Sequence, residues 1–420
     1  MSELLRQANL IGGEWVGADD GGTINVTDPS SGDVIGQVPN AGADETRRAI
    51  AAAHDAFPAY AAKTVTERAA LLRALSAEII ANADELARIL TLEQGKPLTE
   101  SKGEVMSSAA YVQWFAEEIR RARGEVIPSP WPNRRLMTTK HPVGVVAAIT
   151  PWNFPSSMLA RKLGPALAAG CPVVVKPATA TPYSGIAWGV LAERVGFPPG
   201  VVNILTGSAR AIGGEIMDNP KVRKVTFTGS TEIGKELLRG AAGTVKKVSM
   251  ELGGNAPFIV FDDADLDRAV DGAMIAKFRN AGQTCICSNR VYVQAGIYDA
   301  FVERLAERAR ALTVAPGLEE GAEQGPMVDA PALAKISELV QDAVDKGGKV
   351  LAGGAPHERG GLFYAPTVIA DATPEMRVTQ EEIFGPVAPV YRFETEEEAI
   401  AMANDTVYGL AAYAYTGDLG

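Results

Sequence analysis

"VGVVAAITPWNFPSSMLARKLGPALAAGCPVVVKPA", residues 143–178, carries two short valine-rich runs on either side of a segment with helical texture. Apolar runs of about four to eight residues with no polar alternation suit strands buried on both faces. A helix between two such strands makes the pair parallel, because a helical crossover returns the chain in the same direction. The same texture continues as "YSGIAWGVLAERVG", "GVVNILTG" and "KVTFTGSTEIGKELLRGAAG". The expected fold class is therefore α/β, a doubly wound domain that takes ligands beyond the carboxyl ends of its strands.

Upstream, from Ala43 to about Gln113, the pattern is helical. "TERAALLRALSAEIIANADELARIL" places Leu71, Leu72, Leu75, Ile79, Leu86 and Leu90 on one broad apolar stripe, which reads as core. Between this region and the valine runs lies "GEVIPSPWPNRRLMTTKHPVG", whose prolines cannot donate to a strand ladder and oppose a helix. It reads as an extended arm or edge hairpin of the kind used for subunit contacts. After "KKVSMELGGNAPFIVFDDADLDRAVDGAMIAKF" a second α/β unit begins and runs to the end of the chain.

Composition narrows the classes. Forty Lys and Arg against 51 Asp and Glu leave a net charge of -11, and no basic block faces a run of phosphates, so nucleic acid is not an expected partner. No stretch reaches ~18 consecutive apolar residues, and "MSELLRQANLIGGEWVG" lacks the apolar core and cleavage site of a signal peptide. A cytoplasmic protein with no membrane partner is expected. Cys171, Cys285 and Cys287 are too few for a disulfide framework and fit a reducing compartment. His54, His141 and His357 are scattered, so no metal site is expected.

Three stretches carry candidate chemistry. "FTGSTEIG" puts Gly229 and Ser230 at a strand-to-helix turn, where close backbone approach and helix N–H groups favour an anion such as a pyrophosphate. It also reads as an ordinary capped turn, because the G-x-G-x-x-G fingerprint is absent. In "GQTCICSN", residues 282–289, Cys285 is a candidate nucleophile if a neighbouring group takes its proton. Glu251 in "MELGGNAP" is a candidate base, on a strand expected to be buried with its pKa raised, or else a solvated carboxylate. In "TPWNFP", Pro151 and Pro155 stiffen a loop whose Asn153 amide would suit a developing negative charge, or else is a surface asparagine.

Taken in order, "TPWNFP", "VVVKPA", "FTGSTEIG", "ELGGNAP", "GQTCICSNR" and "EEIFGPV" closely resemble the aldehyde dehydrogenase superfamily, from about Asn9 to the last residue. The resemblance implies a Rossmann-like NAD(P)-binding domain at 1–122 and 143–253, an oligomerisation arm at 123–142 and a catalytic domain at 254–420. It implies oxidation of an aldehyde to an acid through a cysteine thiohemiacetal and thioester. Carried over by motif, Cys285 is the nucleophile, Glu251 the general base, Asn153 the oxyanion donor and Lys162 a supporting lysine. Trp152 and Lys176 fall to the adenosine side, Gly229 and Ser230 to the pyrophosphate, and Glu382 and Phe384 to the nicotinamide ribose. Family members that prefer NAD often carry a glutamate three residues after the lysine; here Thr179 stands there, so NADP is expected to be accepted and preferred over NAD.

"FRNAGQTCICSNR" looks like the succinate-semialdehyde branch, in which Arg279 and Arg161 would grip a distal carboxylate. Either arginine read alone is as well placed on the surface. Succinate semialdehyde is the expected substrate, with glutarate semialdehyde close behind. A CoA-acylating enzyme and a catalytically silent cofactor-binding scaffold stand as alternatives, against which Glu251 and the retained nucleophile argue. Cys287 reads as a small apolar core residue or, following the same branch, as a redox partner of Cys285. Members of the family usually continue for some sixty residues past this chain's last one. A homodimer or homotetramer is expected when that segment is present.

Overall fold

Both valine-rich runs are strands, and they pair in parallel with Val146 beside Val173 and Ile149 beside Lys176. In the computed structural model, which describes residues 3–418, the chain folds as two units. One comprises the residues up to Thr27, Val34–Glu93 and Ser101–Glu251; the other comprises Asp28–Asp33, Gln94–Glu100 and the residues from Leu252 onward.

The first unit begins with β1 (Asn9–Ile11), β2 (Glu14–Val16) and the antiparallel pair β3 (Thr23–Thr27) and β4 (Val34–Pro39). Helices α1 (Ala43–Ala61), α2 (Val65–Ala81), α3 (Ala83–Gln94) and α4 (Leu98–Glu118) follow. Next come β5 (Glu125–Ile127) and β6 (Leu136–Thr138), a two-stranded antiparallel hairpin. The main sheet then adds β7 (Val145–Ile149), β8 (Val173–Lys176), β9 (Val202–Ile204), β10 (Val222–Thr228) and β11 (Lys247–Glu251). Its crossovers carry α5 (Pro155–Ala168), α6 (Pro182–Arg194), α7 (Ala209–Asp218) and α8 (Thr231–Ala242).

The strand order is β11-β10-β7-β8-β9-β1-β2, and β7 to β11 are mutually parallel. The chain thus turns back on itself at β7, which creates a topological switch between β7 and β10, the place where such sheets bind ligands. Alternation explains the unbroken apolar runs. Val146, Ala148, Val173 and Val175 pack with Leu72, Leu75, Ile79 and Leu159, while Val145, Ala147 and Val174 pack on the other face with Ile50, Ala53 and Ile212. One expectation fails here. The strand that carries Glu251 is not buried, because β11 forms the edge of the sheet, and Lys247, Val248, Ser249 and Glu251 are exposed.

The second unit holds β12 (Ala256–Val260), β13 (Ser288–Gln294), β14 (Lys349–Ala352), β15 (Thr367–Ala370), β16 (Val387–Phe393) and β17 (Tyr413–Tyr415). Their order is β14-β15-β16-β13-β12-β17, with β14 antiparallel and the rest parallel. Helices α9 (Leu266–Phe278), α10 (Ala295–Arg310), α11 (Ala330–Asp345), the short α12 (Arg377–Gln380) and α13 (Glu396–Asn404) complete it. Again the two faces alternate: Val291 and Val293 pack with Phe301 and Leu305, and Tyr292 packs with Ile336 and Tyr391. Among the described residues, no helix is long and apolar enough to cross a membrane, and no cluster of His, Cys, Asp and Glu is placed to hold a metal ion.

Candidate active site

In the first unit the candidate residues gather at the carboxyl ends of adjacent parallel strands. Trp152 and Asn153 follow β7, Lys176 ends β8, Gly229 and Ser230 follow β10, and Glu251 ends β11. The register sets Glu251 beside Thr228, and Ile149 beside both Phe227 and Lys176. Asn153 is buried in the turn into α5. Pro155 opens that helix, as its fixed φ allows, but Phe154 at the N-cap provides no side-chain cap. Glu104 of α4 supplies one instead, accepting the amides of Ser156 at 2.9 Å and Ser157 at 3.0 Å.

Two turns into α5, the buried Lys162 Nζ donates to Thr228 Oγ1 at 2.7 Å and Thr226 Oγ1 at 3.2 Å. Burial pulls its pKa down to about 8, against the opposing charge of Glu251. Arg161, next to it, is exposed, with its guanidinium 4.9 Å from the ring centre of Tyr111. Lys176 is buried too; its Nζ donates to Pro177 O at 3.0 Å and Thr179 Oγ1 at 3.3 Å, and burial lowers its pKa to about 8. Gly229 N donates to Glu251 O at 3.0 Å, tying the turn to the edge strand. A Cβ at Gly229 would lie 2.4 Å from the Phe227 ring, so a side chain there would have to displace that ring. Ser230 caps α8 by accepting the Ile233 amide at 3.4 Å.

In the second unit, three glycines pull three motifs into backbone contact. A Cβ on Gly254 of "ELGGNAP" would lie 2.4 Å from Cys285 O, and one on Gly282 would lie 2.0 Å from Gly385 O of "EEIFGPV". The segment before Cys285 is strained: Asn280 and Ala281 have φ of 53°, and Gly282 has φ of 71°. A left-handed non-glycine residue costs of order 1–3 kcal/mol, so the surroundings must impose it. Asn280 N donates to the Glu100 carboxylate at 2.9 Å. Gln283 donates to Asn280 O at 3.1 Å and accepts the Val328 amide at 3.0 Å. Glu382 accepts the Gly254 amide at 3.1 Å, and burial raises the pKa of its carboxyl. Phe384 is also left-handed, with φ of 53°.

The two neighbouring cysteines differ in setting. Cys285 is half-buried, whereas Cys287 is buried with its thiol donating to Lys277 O at 3.1 Å. Burial pushes the Cys287 thiol pKa up, and the charge of Lys277 opposes the shift. Arg279, Thr284 and Ile286 line a cavity of about 340 Å³ together with Phe258, Ala276 and Tyr413. The Thr284 hydroxyl oxygen itself is buried in the protein and has no hydrogen-bond partner among the described residues. The candidate residues thus form two sets, each assembled within its own unit.

A model described as the aldehyde dehydrogenase family matches residues 15–420. The chain belongs to the aldehyde dehydrogenase family. It is 56% identical over 418 residues to the glutarate-semialdehyde dehydrogenase of Pseudomonas aeruginosa, covering 100% of this chain and 86% of that protein. It is 54% identical to the NADP-dependent succinate-semialdehyde dehydrogenase of Escherichia coli, covering 100% and 87%. Among solved structures, that of succinate-semialdehyde dehydrogenase from Burkholderia pseudomallei matches with a TM-score of 0.99 at 52% identity, over 100% of this chain and 87% of that one. The fold of this aldehyde dehydrogenase is therefore the α/β architecture that its motifs implied.

Several residues of this aldehyde dehydrogenase escape a reading of its sequence. Thr284 and Ile286 flank Cys285, and that adjacency is the signal that they border its surroundings. Glu104 and Lys277 gave none. A lone glutamate or lysine on a helix reads as solvated, yet both are buried, and only the tertiary structure reveals their partners.

Proposed function

We propose that this aldehyde dehydrogenase oxidises succinate semialdehyde to succinate with NADP, using Cys285 as nucleophile. The observation that carries the substrate reading is the cavity lined by Arg279, Thr284 and Ile286, the last two on either side of Cys285 in sequence. A guanidinium lining the cavity suits a carboxylate at the far end of a short aldehyde. The names of the similar enzymes support the same class. Glutarate semialdehyde is the second reading, because one methylene changes binding by only ~1–3 kcal/mol.

The donor set fits a dinucleotide phosphate. Lys176 and Thr179 offer an ammonium and a hydroxyl at the end of β8, with threonine rather than carboxylate three residues on. The amide-bearing end of α8 follows Gly229 and Ser230. Trp152 is assigned to the adenosine side; Glu382 and Phe384 are assigned to the nicotinamide ribose. When bound, NADP supplies the acceptor for the hydride that leaves the substrate carbon. The protein's own groups do the rest. The Cys285 thiolate adds to the aldehyde carbon, forming a C–S bond and an alkoxide that the Asn153 amide and the Cys285 backbone N–H stabilise. Loss of hydride leaves a thioester on Cys285. Glu251 then takes a proton from water, the water oxygen adds to the thioester carbon, and the C–S bond breaks to return the thiolate. Lys162, next to Arg161 in sequence, holds positive charge near Glu251.

Kinetics test the substrate reading. Arg279→Ala should raise KM for succinate semialdehyde about tenfold or more and leave butanal nearly unchanged, with Arg161→Ala acting in the same direction. Equal effects on both aldehydes would remove the distal-carboxylate reading. We also assign the β5–β6 hairpin to self-association into a homodimer or homotetramer. The cytoplasm is the proposed location, since the three cysteines stand as thiols.

A further inference from the structure

Lys277 closes the last turn of α9 and is fully buried, with 0% of its surface exposed. A lysine in that position is costly, because its ammonium leaves water, unless hydrogen bonds replace what water gave. One bond does so at the ammonium, and a second holds the main chain of the same residue. Its Nζ donates to Asn289 Oδ1 at 2.8 Å, and its carbonyl accepts the Cys287 thiol at 3.1 Å. The charge of Glu382 also acts on the ammonium.

These contacts join the end of α9 to the beginning of β13. Everything between is the segment that carries Cys285, including the left-handed residues Asn280, Ala281 and Gly282. A segment in so unfavourable a conformation drifts toward commoner ones unless both of its ends are fixed. Gln283 and Glu100 hold its first half. After Cys285, Lys277 provides an anchor on Cys287 and Asn289, beside the Tyr413 hydroxyl that donates to Ile286 O at 2.7 Å.

We propose that Lys277 is a positioning residue, which through its ammonium on Asn289 and its main-chain carbonyl on the Cys287 thiol holds the nucleophile segment in its attacking geometry. This rests on the reading of Cys285 as nucleophile. It gives Cys287 a task, as the donor at the second point of the clamp, in place of simple packing or pairing with Cys285. A displacement of about 1 Å at a reacting atom can lower a rate about 100-fold while substrate binding elsewhere is untouched. The effect should therefore fall on kcat and spare KM.

The test uses the full-length enzyme with its cofactor, comparing Cys287→Ala, Cys287→Ser and Lys277→Met, each checked for native circular dichroism. Cys287→Ala removes the donor and should lower kcat about tenfold with KM for the aldehyde within about twofold. Cys287→Ser keeps a donor and should recover most of that loss. Lys277→Met should lower kcat about 10- to 100-fold with the same unchanged KM. Equal kcat in the alanine and serine variants overturns the proposal, as does wild-type kcat in a folded Lys277→Met. Should Lys277→Met fail to fold, the Cys287 pair decides alone. Cys285→Ser separates the two levels. If it is inactive while the other variants behave as wild type, the clamp alone is wrong; if it stays active, the nucleophile reading fails and takes the clamp with it.

Discussion

Thr179 accepts a hydrogen bond from the Lys176 ammonium at 3.3 Å, at a position where a carboxylate would form an ion pair instead. In Thr179→Glu the new charge would neutralise that ammonium and repel a 2′-phosphate. The variant should lose about tenfold or more in kcat/KM with NADP and gain with NAD, measured by formation of the reduced cofactor. An unchanged ratio would detach Lys176 from cofactor choice. The lysine also bears on stability. Burial lowers its pKa from 10.5 to about 8, so between those values the unfolded chain binds more protons than the folded one. Folding stability therefore rises with pH across that window; below it the penalty is constant. Lys176→Met removes this term. Its melting temperature without cofactor, relative to wild type, should be highest near about pH 7 and should shrink toward about pH 10. A constant difference would mean that the ammonium is not destabilised by burial. Cys285, Asn153 and Glu251 stand out in the sequence as candidates because chemistry restricts which side chains serve, and short motifs surround them. Thr284 and Lys277 do not, since a threonine or lysine becomes informative only once its burial is known.

Helix α5 shows what is and is not legible in an element. Its apolar spacing announced a helix, and Pro155 marked its start. The cap that fixes the turn holding Asn153 comes from Glu104, about fifty residues upstream, and no local pattern encodes it. Helix α6 repeats the device: Glu93 accepts the amides of Tyr183 at 2.7 Å and Ser184 at 2.8 Å, while Thr181 at the N-cap gives no side-chain cap. Glu93 is the more deeply buried acid, and burial pushes its pKa up to about 8 despite those amides. For Glu104, removing the acceptor strands two buried amides, a loss of about 1–3 kcal/mol. Glu104→Ala should lower the melting temperature and reduce kcat, because the turn carrying Asn153 loses its anchor. Glu104→Gln, which keeps an acceptor oxygen, should be milder in both. A drop in stability with undiminished kcat per folded molecule would show that α5 does not position Asn153. The strands were easier to read, because β7 and β8 bury both faces and leave no polar alternation to confuse them. In the first unit's main sheet β11, at the edge, defied that logic: its apolar-looking context hid an exposed strand.

At the scale of the molecule, the division into units follows contacts that leave no local trace. Gln94–Glu100 belongs with residues far downstream, through Leu98 N to Gly317 O at 2.9 Å and Asn280 N to Glu100. The arm is the opposite case, since its prolines made it conspicuous. In the structure it is a hairpin in which Val126 stands directly opposite Met137, exposed at 79% and 70%. With Trp131 half exposed at its tip, the hairpin presents apolar side chains and unpaired strand edges to solvent. Monomers usually blunt such edges with charge, and here the outward pair is apolar. A net charge of -11 opposes indiscriminate association, so a specific patch must overcome that repulsion where copies meet. The hairpin is the proposed patch. Val126→Asp combined with Met137→Asp should place like charges across the ladder and reduce the solution mass, measured by light scattering, toward that of a single chain. The far-ultraviolet spectrum should stay native, because the hairpin contributes nothing to either apolar core. Retention of the wild-type mass in the folded double variant would move the interface elsewhere.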